Sequence, residues 1–187
     1  RRLILLILDK CNLCSFSMSL GSSASGKSLS LEDSSSVFDD SLASNMSLGT
    51  KIFSFLKEKG WSPLPFQIQA WESFSKGENG LIQVPTGCGK TYAALMGPLK
   101  KLKDLNQKKG INILFITPLK ALSRDLKKSI SEASNFIDEE LTISIRNGDT
   151  SPYEKRKQLL NPPNILITTP ESLSLLLARK ESSELFD

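Results

Sequence analysis

The residues best suited to chemistry in this chain lie between positions 80 and 95, in the sequence GLIQVPTGCGKTYAAL. Their order predicts a buried strand, a glycine-rich loop and a helix start, which is the order that a phosphate-binding loop requires. Backbone N–H groups from Gly87 to Lys90 can surround a polyphosphate, and the positive end of the helix dipole faces the same anion. Glycine at positions 87 and 89 permits positive φ and a close approach to the ligand. The segment therefore predicts a nucleotide site.

Two side chains of this loop have predicted catalytic roles. Lys90 would neutralise the β- and γ-phosphates, and the hydroxyl of Thr91 would ligate Mg²⁺. Cys88 stands at the helix start, where the local potential favours a thiolate, but we interpret it as an inert small side chain. The loop residues predicted to bind the nucleotide are Thr86, Gly87, Cys88, Gly89, Lys90 and Thr91.

A second segment, GSSASGKS at 21–28, satisfies the pattern G-x-x-x-x-G-K-[ST] more literally. In the loop above, Val84 stands where the pattern has its first glycine. A phosphate loop needs a strand before it and a helix after it, however, and the second segment is followed by SLSLEDSSSVFDD, which has no apolar stripe. We therefore interpret residues 21–28 as a compositional feature of a Gly/Ser-rich segment.

Composition divides the chain of 187 residues, whose formal net charge is +4, into two parts. Residues 1–46 are serine-rich and predicted to be disordered, whereas residues 47–187 hold 20 basic and 15 acidic side chains and are predicted to form one domain. That excess is compatible with a nucleic-acid partner but does not establish one. The apolar run at 3–8 is too short for a membrane span, and we expect a cytoplasmic protein. Cys11 and Cys14 lack the further ligands of a zinc site.

From residue 47 onward, helical and strand-like patterns alternate, which is typical of a parallel α/β sheet with right-handed crossovers. The predicted strands are 81–84, 111–116, 141–145 and 164–168. The predicted helices are 47–59, 65–74, 90–105 (bent at Pro98), 119–135, 152–160 and 171–180. The predicted fold is thus an α/β domain with a P-loop after its first strand.

Two strand ends are built alike, since ILFITPLKAL at 113–122 and ILITTPESLSL at 165–175 both run strand, threonine, proline, helix. Thr117 and Thr169 are suited to N-cap positions, with Pro118 and Pro170 at the first helical position. Helix starts that follow parallel strands emerge at one edge, the edge of the phosphate loop. These two helix starts could bind a ligand that carries several phosphates in a row. Ordinary helix capping would also explain each pair.

Five segments in this order resemble the first RecA-like domain of superfamily 2 helicases, and within it the large helicase-related (Lhr) or ligase-associated DEXH-box group. The resemblance covers residues 47–187. PTGCGKT at 85–91 resembles motif I, TPLKALSRD at 117–125 resembles motif Ia, and TTPESLSLLL at 168–177 resembles motif Ib. GWSPLPFQIQAW at 60–71 is similar to the adenine-recognition segment, and RNGDTS at 146–151 to the family's G-D-T-S turn.

The resemblance implies ATP and Mg²⁺ as cofactors and DNA or RNA as partner, with DNA repair proteins as further partners. Gln67 occupies the place of the family's adenine-reading glutamine, whose amide both accepts from N6 and donates to N7. The nucleic-acid contacts that it implies are Thr117, Pro118, Lys120, Arg124, Arg146, Gly148, Thr169 and Pro170. Surface charge is the alternative explanation for Lys120, Arg124 and Arg146.

The sequence also departs from the family. No D-E-x-H or D-E-x-D segment, which would hold Mg²⁺ and orient the attacking water, occurs among its 187 residues, and we expect these residues to lack the family's second RecA-like domain. We therefore expect a RecA-like domain truncated at its C-terminal end and inactive alone. We also expect the phosphate-loop strand to lack flanking strands, which would leave apolar edges exposed and the fold marginal.

Two other functions remain open at this point. A non-catalytic remnant that binds nucleic acid would keep the basic residues without needing the nucleotide. Another P-loop NTPase or a small-molecule kinase would share the phosphate loop, but the sequence contains no N-K-x-D segment for guanine, and a kinase gives no reason for Gln67 or the paired Thr-Pro starts.

Overall fold

The computed structural model describes residues 4–8, 13–17, 27–29, 50–103, 110–137, 140–179 and 185. Seven strands and six helices lie in this part of the chain. The strands are β1 (Ile4–Leu8), β2 (Leu13–Ser17), β3 (Lys27–Leu29), β4 (Gly80–Gln83), β5 (Ile113–Ile116), β6 (Ile143–Arg146) and β7 (Ile165–Thr168). The helices are α1 (Thr50–Glu58), α2 (Pro65–Ser75), α3 (Lys90–Lys103), α4 (Lys120–Ile137), α5 (Pro152–Leu160) and α6 (Pro170–Leu177).

All seven strands join one sheet in the order β3-β4-β2-β1-β5-β7-β6. Strands β5, β7 and β6 pair in parallel, and β1 is parallel to β5. Because β2 is antiparallel to both β1 and β4, strand β4 runs in the same direction as β1 and β5. The four strands predicted from the sequence therefore point the same way and end at one edge, which confirms the α/β, RecA-like fold class.

The N-terminal segment needs correction, because three stretches of the region predicted to be disordered form β1, β2 and β3. The physical basis of β1 is the apolar run at 3–8: Ile4 and Leu6 are buried, and β1 satisfies backbone groups of β5. Strands β2 and β3 also flank β4 on its two sides, so the expectation that β4 lacks flanking strands is wrong. The rest of residues 1–46 lies outside the described residues.

The core lies on both faces of the sheet, because side chains alternate along each strand. On β5, Ile113 and Phe115 belong to the larger cluster, which α1 to α4 cover, whereas Leu114 and Ile116 belong to a smaller cluster with Leu176 of α6. No helix of the described residues is long and apolar enough to cross a membrane. The cytoplasmic location stays a prediction.

Helices α2 and α3 pack closely, and this contact sets the position of the phosphate loop. A Cβ at Gly97 would lie 2.9 Å from the ring of Phe74, so only glycine permits this approach. Nearer the loop, the indole N–H of Trp71 donates to the carbonyl of Tyr92 at 3.1 Å. The start of α3 is therefore held against α2, the helix that carries Gln67.

Candidate functional site

The phosphate loop predicted from the sequence occupies the turn between β4 and α3. Gly87 and Gly89 have φ values of 86° and 78°, a backbone region that other residues rarely adopt. Thr86 and Gly87 are exposed, and Lys90 begins the helix. In the alternative segment, by contrast, Lys27 lies in strand β3. The strand, loop and helix order that a phosphate site needs is thus present only in the first of these two segments, as far as the described residues show.

Lys90 is the buried cation of the loop, with 9% of its surface exposed. Its ammonium donates to the carbonyl oxygen of Val84 at 2.8 Å and to that of Pro85 at 2.7 Å. These bonds join the first helical residue to the end of the strand and close the loop. A buried ammonium is costly without such partners, so Lys90 is positioned by the loop itself.

Gln67 ties helix α2 to the same loop. Its side-chain N–H donates to the carbonyl of Gly89 at 3.2 Å, and its oxygen accepts from the backbone N–H of Leu64 at 2.9 Å. Only 6% of Gln67 is exposed. A Cβ at Gly89 would lie 2.7 Å from the amide nitrogen of Gln67. The structure thus brings Gln67 to the phosphate loop. Recognition of adenine by Gln67 stays a prediction.

An aromatic pair beside the loop was missed by sequence reasoning. Trp61 is 48% exposed, and its ring centroid lies 5.5 Å from that of Tyr92, which follows Thr91 in α3. The signal was present in the segment 60–71, where an indole precedes Gln67 by six positions. The arrangement offers a flat apolar surface next to the phosphate loop.

Cys88 is half-buried and packs against the larger core cluster. That contact agrees with the interpretation of Cys88 as a small packing side chain. No group of three or more His, Cys, Asp and Glu side chains suited to a metal lies within the described ranges. Thr91, the predicted magnesium ligand, is half-buried in the first turn of α3.

A groove of about 1180 Å³ opens at the same edge of the sheet, between α4, β6 and α5. Two predicted nucleic-acid residues, Lys120 and Arg124, line it from α4. The ammonium of Lys120 pairs with the carboxylate of Asp149 at 2.8 Å. This hydrogen bond holds the pKa of Asp149 below its usual range. Asp149 was not predicted, although it belongs to the G-D-T-S turn.

The turn between β6 and α5 is fixed by its own side chains. Asn147 accepts from the N–H of Asp149 at 3.0 Å, and the N–H of Asn147 donates to the hydroxyl of Thr150 at 3.0 Å. A Cβ at Gly148 would lie 2.9 Å from the ammonium of Lys120. Lys120 therefore lies close to the backbone at Gly148, and the contact of Gly148 with nucleic acid stays a prediction.

Arg146 is placed differently from the sequence expectation. It is 4% exposed and is not among the residues that line the groove. Its guanidinium donates to the carbonyl of Lys155 at 3.0 Å and to the side-chain oxygen of Gln158 at 3.1 Å. Burial lowers the pKa of Arg146 from its ordinary value. In this structure Arg146 holds helix α5 against strand β6.

The two Thr-Pro helix starts also differ from each other. Thr169 caps α6, because its hydroxyl accepts from the N–H of Ser172 at 3.4 Å, and Pro170 is the first helical residue, as predicted. Thr117 does not cap α4, which begins at Lys120, so the predicted cap is wrong there. The hydroxyl of Thr117 is buried without a hydrogen-bond partner among the described residues. Pro118 is half-buried, and Thr169 is 3% exposed.

Comparison with known proteins agrees with this geometry. Residues 64–186 match the DEAD/DEAH box helicase family, which is more than half of the chain. Sequence relatives include the ATP-dependent helicase Lhr-Core of Sulfolobus acidocaldarius, 40% identical over 140 residues, and the Lhr helicase/probable uracil glycosylase of Mycolicibacterium smegmatis, 38% identical over 128 residues. The matches cover 70% and 62% of this chain but 16% and 8% of those relatives, so the chain spans less than a fifth of their length.

Solved structures lead to the same family. The helicase Lhr of Mycobacterium smegmatis bound to ssDNA and AMP-PNP superposes with a TM-score of 0.65 at 32% identity, over 72% of this chain and 18% of that one. The DUF1998 helicase MrfA bound to DNA gives a TM-score of 0.60 at 25% identity, over 74% of this chain and 20% of that one. The chain belongs to the DEAD/DEAH box helicase family.

Proposed function

We propose that this chain forms the ATP-binding and nucleic-acid-binding part of an ATP-dependent DNA or RNA helicase. The observation that carries the proposal is the placement of two features at one edge of the sheet. The phosphate loop follows β4, and the groove between α4, β6 and α5, hereafter the basic groove, lies beside the ends of β5 and β6. Ligands of open α/β sheets bind outside the carboxyl ends of the strands. Both ligands would therefore meet the same edge.

The phosphate loop fits a nucleoside triphosphate. Nothing lies within 4 Å of a Cβ placed on Gly87, so the space beside the loop is open. Lys90 would exchange its bonds to the carbonyls of Val84 and Pro85 for bonds to phosphate oxygens, while the first N–H groups of α3 face the same anion. Thr91 would hold Mg²⁺, which supplies charge neutralisation at the phosphates. The Lhr relative bound AMP-PNP, which supports an adenine nucleotide.

Selectivity for adenine would come from the segment that precedes the loop. The side-chain amide of Gln67 has two N–H groups, of which one is committed to Gly89, so a second donor remains for the base. Trp61 offers an aromatic surface on the side of Tyr92. Guanine would present the acceptor O6 where adenine presents the N6 donor, so it would not match the amide of Gln67. ATP should therefore bind more tightly than GTP.

The groove would hold the phosphates of a single strand. Lys120 and Arg124 line it, and the turn at Gly148 brings the backbone to its rim. A phosphate would compete with Asp149 for Lys120, because the ion pair is exposed and therefore weak. The solved relatives bound ssDNA and DNA, which supports a nucleic acid as partner. An association with DNA repair proteins stays a prediction.

Two titrations of the full chain test the proposal. A fluorescent ATP analogue with Mg²⁺ should bind saturably, and ATP should displace it at lower concentrations than GTP. Affinity for a single-stranded oligonucleotide should fall with salt at a log–log slope of about −2, as expected for about three phosphate contacts. Absence of saturable ATP binding would refute the proposal, and salt-dependent binding of the oligonucleotide alone would favour the nucleic-acid-binding remnant.

A further inference from the structure

We propose that Tyr153 is a stacking platform for one base of the single strand in the groove, an inference that rests on the nucleic-acid role proposed above. Tyr153 follows Pro152 in the first turn of α5 and lines the groove. Its side chain is 77% exposed, the largest fraction among the exposed large apolar residues of the described chain. An aromatic ring this open to water contributes little to the core, so its face is available to a ligand.

The ring of Tyr153 is free of the contacts that engage the other tyrosine. Tyr92 contacts Phe55 and Trp61, with ring centroids 5.8 and 5.5 Å apart. Tyr153, in contrast, has no ring contact and no side-chain hydrogen bond to another residue in the described part of the chain. A base could therefore stack on it without displacing an existing interaction.

The backbone that carries Tyr153 is already ordered. Ser151 caps α5 by accepting from the N–H of Glu154 at 3.2 Å, and Pro152 fixes φ at the first helical position. The preceding turn is closed by the bonds of Asn147 and Thr150. A tyrosine has only two side-chain torsions to order on binding. The conformational cost of stacking a base on this ring is therefore small.

Three basic side chains besides Lys120 line the same groove as Tyr153. Lys157 lies four residues further along α5, on the same helix face, and lines the same groove. Arg124 and Lys127 line the groove from α4. No hydrogen bond or ion pair joins these three side chains to another described residue. They can contact the phosphates that flank a stacked base.

The charge of the groove makes a stacking surface important. The lining holds four basic side chains (Lys120, Arg124, Lys127 and Lys157) against three acidic ones (Asp125, Asp149 and Glu154). With an excess of one positive charge, the contribution of the phosphate contacts to affinity falls as the salt concentration rises. Stacking depends only weakly on salt and accepts any base, because every base has a π-face. It would supply a large part of the affinity without sequence preference.

The test compares two strands of equal length, oligothymidylate and a wholly abasic strand, on the full chain. Tyr153→Ala should weaken oligothymidylate binding by about fivefold to a hundredfold, the range for loss of one base stack, and should leave the abasic strand unchanged. Tyr153→Phe should bind like the parent, and Tyr153→Trp should bind at least as tightly. The salt slope should stay the same in all these variants, because no charge is removed.

Leu160→Ala is the matched control, since Leu160 is 73% exposed on the same helix but does not line the groove. Leu160→Ala should change neither the affinity for oligothymidylate nor that for the abasic strand. The inference is overturned if Tyr153→Ala leaves oligothymidylate binding unchanged, or if it weakens both strands equally. If the parent chain binds neither strand, the proposed nucleic-acid function itself is wrong, and that outcome is distinct from a failure of Tyr153 alone.

Discussion

The phosphate loop and the basic groove share one edge of the sheet, but their functional groups are in opposite states. In the loop, Lys90 and Gln67 are buried and hydrogen-bonded to backbone atoms. In the groove, Arg124 and Lys157 are exposed, and Lys120 forms an exposed ion pair. A ligand of the loop must replace bonds that buried groups already make, whereas a ligand of the groove meets groups that face water and replaces one exposed ion pair, that of Lys120.

This difference has consequences for selectivity. A ligand that does not replace the internal bonds of the loop leaves buried polar groups unpaired, which costs about 1–3 kcal/mol for each group. The loop should therefore discriminate strongly between nucleotides. The groove imposes no such penalty, so its binding should be tolerant of sequence and sensitive to salt. The following variants test this contrast, from the largest expected effect to the smallest.

The largest effect is expected from Lys90→Ala. Loss of charge-assisted bonds to phosphate, worth about 1.5–3 kcal/mol, should weaken ATP binding about tenfold to a hundredfold in a nucleotide titration. Oligonucleotide affinity should stay the same. Arg124→Ala is the reverse variant: it should leave ATP binding unchanged and reduce the salt slope for single strands by about 0.7. Equal losses of both ligands in either variant would contradict the separation of the two sites.

The second effect concerns stability of the loop. Gly89→Ala combines a positive φ of 78° with a Cβ placed 2.7 Å from the amide nitrogen of Gln67. We expect a loss of about 2 kcal/mol in urea denaturation, from backbone strain of about 1–2 kcal/mol plus displacement of Gln67. Gly60→Ala is the matched control, since Gly60 has φ of 70° and nothing within 4 Å of a Cβ. Equal losses would show that the contact with Gln67 is unimportant.

The third prediction separates the two Thr-Pro helix starts. Thr169→Val removes the cap of α6 and should lower the free energy of unfolding by about 1 kcal/mol. Thr117→Val removes a buried hydroxyl that has no partner among the described residues, and it should be neutral or stabilising. Thermal or urea unfolding of both variants gives the comparison. If Thr117→Val is the more destabilising of the two, the hydroxyl of Thr117 is hydrogen-bonded in solution, and the prediction is wrong.

The smallest effect is expected from Asp149→Asn, which breaks the ion pair with Lys120. An exposed pair is worth at most about 1 kcal/mol, so freeing Lys120 should tighten oligonucleotide binding by up to about fivefold. Asp125→Asn is the control, because Asp125 lines the same groove and its replacement removes the same negative charge. A gain that is equal in the two variants would assign the effect to net charge rather than to release of Lys120.

Local sequence patterns predicted the elements that position the phosphate loop. The order of β4, loop and α3 followed from the glycines and the apolar run before them, and α5 has the predicted bounds because Ser151 and Pro152 are strong start signals. The direction of all four predicted strands followed from their alternation with helices. Each of these features depends on residues that are close in sequence.

Features that depend on distant parts of the chain were not predicted. Strand β1 pairs with β5, which lies more than a hundred residues further along the chain, so no local pattern reveals that the run at 3–8 belongs in the sheet. Arg146 is buried because α5 returns over β6 and presents Gln158 and a backbone carbonyl to it. Thr117 is followed by the same proline as Thr169, yet α4 begins two residues later than that pattern predicts. Tertiary packing decides these three cases.

The most direct test of two separate sites on one edge is an amide chemical-shift map of the ¹⁵N-labelled chain. Addition of ATP and Mg²⁺ should shift the amides of residues 86–91 and of Gln67, and leave those of residues 147–157 in place. A single-stranded oligonucleotide should give the reverse pattern. Two separate sites are contradicted if ATP leaves the loop amides unchanged, or if both ligands shift the same set of residues.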